Sequence, residues 1–131
     1  VGKFECVYDL RPVPAPRPRV TRWGTYNPPK YTEYKNAIKL LTKIKTPLLG
    51  PLKMAVIFQF QKPKSWSKTK KENAYWHTQR PDADNLLKSI KDAYNGLVFE
   101  DDAQVCIVEV KKIWGEFNNI NVTIENIKKG V

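Results

Sequence analysis

The chain offers little to a membrane, a disulfide framework or a soft-metal site. Its longest apolar run, Met54 to Phe58, falls far short of the roughly 20 residues that cross a bilayer. No charged start followed by an apolar segment stands at the N-terminus, so the expectation is a protein of the reducing cytoplasm that is not exported. Two cysteines, Cys6 and Cys106, cannot make a disulfide framework or a four-ligand zinc site. Both lie in apolar runs, which predicts buried free thiols. A single histidine, His77, leaves no His-rich metal site and no evident nucleophile–base triad. Any metal held here would be held by oxygen, which suits Mg²⁺ or Mn²⁺.

Acid is scarce as well, with 13 carboxylates against 23 lysines and arginines and a formal charge of +10. Its distribution is uneven. Residues 1–80 carry 17 basic and four acidic side chains, a net of +13, whereas residues 81–131 carry six and nine, a net of −3. Such asymmetry predicts a polyanionic partner engaged mainly by the first part of the chain. What is present in quantity is aromatic and apolar: 11% and 41% of 131 residues, the composition of one folded domain spanning 1–131.

Phe4 to Leu10 is rich in strand formers. Arg11 to Pro29 then interleaves Arg11, Arg17, Arg19 and Arg22 with Pro12, Pro14, Pro16 and Pro18, and Trp23 and Tyr26 follow. Proline at alternate positions forbids a helix and a regular ladder, so the expectation is a stiff, extended, basic loop suited to phosphates and unstacked bases. A basic surface connection would look the same. Pro29 opens a helical pattern through Tyr31, Tyr34, Ile38, Leu41 and Ile44, with Lys35, Lys39 and Lys43 on another face. Leu52 to Gln61 alternates as a strand, with Met54, Val56, Phe58 and Phe60 sharing one face. Lys62 to Gln79 is a long basic loop carrying Lys64, Lys68, Lys70 and Lys71 around Trp66 and Trp76, which either meet DNA or anchor the loop. Gln104 to Ile113 and Ile120 to Glu125 complete the strands. The order β–α–β–α–β–β predicts an α+β fold: a small mixed or antiparallel sheet with two main helices.

Between them lies Arg80 to Val105, which holds six of the 13 acids: Asp82, Asp84, Asp92, Glu100, Asp101 and Asp102. Pro81 sets a helix boundary, Leu86, Leu87, Ile90, Ala93 and Tyr94 form an apolar face, and Gly96 supplies the stop. Asp82 and Asp84 can converge on one point just ahead of this helix. If the acidic turn at 100–102 returns beside the helix start, carboxylates from two segments could hold one or two Mg²⁺ ions. The structural alternative makes Asp82 and Asp84 plain helix caps and the Asp101–Asp102 pair a turn.

Pro-Asp-Ala-Asp-Asn-Leu-Leu-Lys at 81–88, Asp-Ala-Tyr-Asn-Gly at 92–96 and Glu-Asp-Asp-Ala-Gln-Val at 100–105 together resemble the RusA family of Holliday junction resolvases. Arg-Pro-Arg at 17–19 and Tyr-Thr-Glu-Tyr at 31–34 resemble that family's N-terminal half. The resemblance implies a RusA-like fold and a homodimeric, Mg²⁺-dependent endonuclease that resolves four-way DNA junctions by paired nicks. It also implies Asp82, Asp84 and Asp102 as metal-binding carboxylates, Asp101 as a further candidate, and Lys88 as the catalytic-site lysine. Arg17, Arg19, Arg22, Lys64, Lys68, Lys70, Lys71, His77 and Arg80 are the candidate DNA contacts, His77 having a structural role as its alternative. Two other functions fit the residues: a non-catalytic nucleic-acid-binding protein, and a metal-dependent nuclease for other branched DNA.

Overall fold

Alternation of large apolar residues dictates the sheet. In the computed structural model, which describes residues 2–16, 19–22, 24–26 and 28–127, four strands lie in the order β1-β6-β4-β5. They are β1 (Lys3–Tyr8), β4 (Leu52–Gln61), β5 (Val105–Gly115) and β6 (Asn119–Asn126). β6 runs antiparallel to both β1 and β4, and β4 runs parallel to β5, so the sheet is mixed. The register places Phe4 opposite Ile124 and Tyr8 opposite Ile120, while Met54, Val56 and Phe58 face Ile124, Val122 and Ile120. All eight side chains are buried on one face.

Two helices cover that face. α1 (Pro29–Leu41) buries Tyr31, Tyr34 and Ile38, and α3 (Ala83–Tyr94) buries Leu86, Ser89, Ile90, Ala93 and Tyr94. Each fully buried large side chain of this kind is worth about 1.5–3 kcal/mol of transfer free energy. Gly96, at φ 78°, ends α3 as its sequence position predicts. No helix among the described residues is long and apolar enough to cross a membrane.

A directed hydrogen-bond chain ties the layers. Thr42 Oγ1 donates to the Ile38 carbonyl at 2.6 Å, so it must accept from Tyr8 Oη at 2.5 Å. Tyr8, its proton spent, accepts in turn from Tyr94 at 2.6 Å. Burial pushes both phenols well above their ordinary pKa, so each stays a donor. α1, α3 and β1 are thereby joined by polar groups that would each cost about 1–3 kcal/mol if left unpaired.

The α+β class and the six elements predicted along the chain are present. Two additions depart from expectation. A hairpin, β2 (Arg19–Thr21) with β3 (Gly24–Tyr26), follows the proline segment, because the prolines end at residue 18 and Gly24 takes φ 125°. The basic loop contains α2 (Lys68–Asn73), capped by Ser67, whose Oγ accepts from the Lys70 amide. Cys106 also differs from the buried thiol expected of an apolar run. It is exposed, beside a register shift where β5 departs from β4, and Cys6 is half-buried.

Candidate active site

The start of α3 is built by three separate contacts. Lys112, projecting from β5, donates to the carbonyls of Gln79 and Pro81, each at 2.6 Å, and so fixes the segment leading into the helix. The Arg80–Pro81 peptide is cis. On the other side the amide of Ala15 donates to the Asn85 carbonyl at 2.9 Å, docking the proline segment against the first turn. Its stiffness thus serves as a wall rather than a free basic arm. Between wall and helix lies a cavity of about 1020 Å³, whose polar lining includes Asp82, Asp84, Lys88, Arg11, Lys30 and Arg80.

Asp82 occupies the N-cap position in extended conformation, yet its side chain makes no capping hydrogen bond. Asp84 sits in the first turn, and both carboxylates are exposed in the same cavity. Asp82 is therefore not spent as a cap, and two hard oxygen donors face one space. That donor set fits Mg²⁺, which takes one or two protein carboxylates and completes its shell with water and phosphate. Lys88 lies one turn beyond Asp84 and pairs with Asp92 at 3.3 Å, not with Asp84. Asp92 in turn accepts from the Tyr31 hydroxyl at 2.8 Å, so α1 steadies the carboxylate that steadies Lys88. Lys88 is exposed and Asp92 half-buried, so the ion pair by itself contributes little to stability.

Asp102 does not join this pair within one chain. Its amide donates to the Asn95 side chain at the C-terminal end of α3. Twelve helical residues at ~1.5 Å each place it about 18 Å from Asp82. β5 then runs back along the domain, reaching the helix start only at Lys112. The acidic turn, whose return to the helix start the sequence left open, lies at the opposite end of the helix. No cluster of three or more His, Cys, Asp or Glu able to hold a metal occurs among the described residues. Asp101 and Asp102 also differ in what they do. Asp101 caps the turn, its Oδ1 accepting from the Ala103 amide at 3.0 Å, whereas the Asp102 carboxylate accepts no hydrogen bond among the described residues. Gln104 Nε2 locks the turn to the carbonyls of Leu48 and Gly50.

The candidate DNA contacts divide. Arg80 is exposed in the cavity lining, Lys64 is exposed outside it, Lys68 and Lys70 are exposed on α2, and Arg22 is exposed in the hairpin turn. Lys71 is half-buried and its carbonyl accepts from Lys62 Nζ. Arg17 lies outside the described residues, as does the side chain of Arg19. His77 does not lie on the open surface. It is 5% exposed, 4.2 Å from the Phe60 ring and 4.3 Å from Trp114. Trp66 packs on Trp114 at 4.7 Å and is a loop anchor, whereas Trp76 remains 59% exposed. Sequence reasoning missed Lys112, and it placed Arg11, 5.7 Å above Phe60, in the basic proline segment without singling it out as a contact. Only their tertiary neighbours reveal what each does.

Burial, aided by the Lys112 ammonium, holds the His77 imidazole below its ordinary 6.5. The unfolded chain takes up a proton as pH falls through 6.5, before the folded chain does. The stabilisation is therefore complete above that pH and lost below it. Thermal unfolding midpoints should fall more steeply between about pH 7 and 5.5 for the wild type than for His77→Phe.

Two carboxylates and a lysine thus share a cation-ringed cleft, an arrangement suited to phosphate esters. The Endodeoxyribonuclease RusA family matches residues 9–125, nearly the whole chain. Over 110 residues, the chain is 33% identical to an uncharacterized protein, YqaN, of Bacillus subtilis (strain 168), covering 77% of this chain and 78% of that protein. It is 37% identical over 81 residues to the crossover junction endodeoxyribonuclease rusA of Lactococcus phage r1t, covering 59% of this chain and 56% of the phage protein. The chain belongs to the RusA endodeoxyribonuclease family.

Proposed function

We infer that this endonuclease resolves four-way DNA junctions as a homodimer, cutting two opposed strands with Mg²⁺ (Mn²⁺ as a substitute) during recombination and repair. The observation that carries the reading is the pairing of Asp82 and Asp84 in one cavity with Lys88, Arg11, Lys30 and Arg80 around them. Asp82 and Asp84 would hold the ion. Once bound, it lowers the pKa of a water and draws charge from the scissile phosphate. Arg11 and Arg80 seat the DNA backbone by charge-assisted hydrogen bonds. Lys88, steadied by Asp92, offers its ammonium to charge building on the phosphate oxygens as the P–O3′ bond breaks. Water supplies the new oxygen, leaving a 5′-phosphate and a 3′-hydroxyl.

Asp102 enters through the second copy. β5 is the sheet's edge, and its stretch 105–111 pairs with no second strand among the described residues. Ile107 and Val108 stand there 44% and 41% exposed. A long apolar edge of this kind invites pairing. Because β5 runs from the C-terminal to the N-terminal end of α3, a two-fold axis through its midpoint sets opposite helix ends side by side. Asp102 of one copy then approaches Asp82 and Asp84 of the other, giving two equivalent sites. Purified protein given labelled four-way junctions, flaps and linear duplex should nick junctions fastest in Mg²⁺ and do nothing in EDTA. Binding without cleavage in any metal would leave a non-catalytic DNA-binding protein, and a preference for flaps would assign another branched substrate.

A further inference from the structure

Beside the acidic cleft lies a second cavity that the cleavage chemistry does not use. Its volume is about 360 Å³, within the roughly 300–1,000 Å³ range of small-molecule sites. The floor is aromatic: the half-buried Trp114 lies in it beside Phe60 and His77, which are only 2% and 5% exposed. The His77 ring lies nearly parallel to Phe60, at 27°, and tilted to Trp114 at 42°. Its Nδ1 is buried without a hydrogen-bond partner among the described residues. The mouth is cationic and amide-bearing, with Lys64 and Arg80 beside Gln61 and Gln79. No carboxylate among the described residues lines it.

A closed core cluster would explain aromatic packing but not this mouth. Lys64, Gln79 and Arg80 are all exposed, and a core has no use for two amides and two cations around its opening. The combination selects a flat aromatic ligand with a hydrogen-bonding edge and a negative charge attached. A nucleotide whose base has left its stack meets all three requirements. The two cavities share Arg11, Phe60 and Arg80, so an occupant here lies next to a phosphate held beside Asp82. A branch point lowers the cost of unstacking, because a base there has already lost regular neighbours.

We propose that this cavity receives one unstacked nucleobase of the branched DNA, within a few nucleotides of the scissile phosphate. The base rests against Trp114, the half-buried ring of that floor, and the Gln61 and Gln79 amides read its edge. The inference rests on the function proposed above and adds to it a source of sequence preference at the cut.

The test moves a single abasic residue, one nucleotide at a time, through the branch point of a four-way junction. Binding is followed in EDTA by fluorescence anisotropy, and 2-aminopurine is placed at the same positions. One position should respond, with affinity about tenfold weaker when the base is absent and 2-aminopurine emission changed about twofold or more on binding. In a Gln61→Ala, Gln79→Ala double variant, both side chains being exposed, the abasic penalty should shrink to about threefold or less. Trp114→Phe, which keeps an aromatic floor, should retain most of it. If abasic residues at every position are tolerated within about twofold while Mg²⁺ still drives junction cleavage, the base pocket is overturned and the cleavage reading stands. If a position responds in EDTA but no junction is cut in Mg²⁺, the pocket stands and the cleavage reading falls.

Discussion

Asp82→Asn should lower the single-turnover rate of junction cleavage in Mg²⁺ by about a thousandfold or more, while junction affinity in EDTA holds or rises slightly. The size follows from what the carboxylate does in the proposed site. Asn keeps the shape but loses the charge that would hold a hard cation, and several kcal/mol of transition-state stabilisation goes with the ion. Affinity follows a different rule, because the proposed DNA surface sets lysine and arginine against phosphate. Removing an acid from a cation-ringed cleft then relieves repulsion. A purely structural Asp82 gives the opposite pattern. Loss of an N-cap would cost about 1 kcal/mol of stability and leave the rate on folded protein unchanged. The geometry already separates these outcomes: the Asp82 side chain makes no cap bond, so the unfolding midpoint should barely move. Asp84→Asn should match it in rate, with a small extra loss of stability from the helix dipole. Rates near wild type for both variants would remove the cleft from the mechanism.

Much of the fold was legible because its main elements carry strong periods. β4 spans the predicted Leu52–Gln61, and α3 buries Leu86, Ile90, Ala93 and Tyr94 as its spacing required. What the sequence hid was tertiary. Apolar runs predict burial only where something covers them, and nothing among the described residues covers the β5 edge, so Cys106, Ile107 and Val108 are exposed. His77 sits in a polar stretch, yet its backbone amide donates to Lys112 at 3.1 Å and draws the ring in against Phe60. The acids were legible as a group but not in their division. Spacing put Asp82 and Asp84 together, but no local rule says whether a turn eight residues after a helix ends folds back to its start. Here Asn95 and Gln104 hold the turn at the far end. Asp92, one of the six acids between Arg80 and Val105, is the residue that orients Lys88.

That division of the acids makes mixing the decisive experiment on the dimer. Asp82→Asn and Asp102→Asn should each be inert alone, and an equimolar mixture allowed to exchange subunits should recover nicking. In a composite site, Asp82 and Asp84 come from one copy and Asp102 from the other. A mixed dimer then has one site carrying both lesions and one carrying neither. About half of randomly exchanged dimers are mixed. With one intact site in each mixed dimer, nicking should therefore return to about a quarter of the wild-type rate. It should consist of singly nicked junctions rather than resolved duplexes, because only one strand of the opposed pair meets an intact site. Sites complete within one chain predict no recovery, since every chain in the mixture carries a lesion. Val108→Lys supplies the control. It places a charge on the exposed β5 edge, away from both acids, where desolvating a lysine on pairing is costly. The variant should elute as a folded monomer, bind junctions more weakly and neither nick nor complement. A dimer that persists in Val108→Lys, with wild-type cleavage, would move the interface elsewhere. Recovery of fully resolved duplexes in the mixture would show that one intact site can cut both strands in turn.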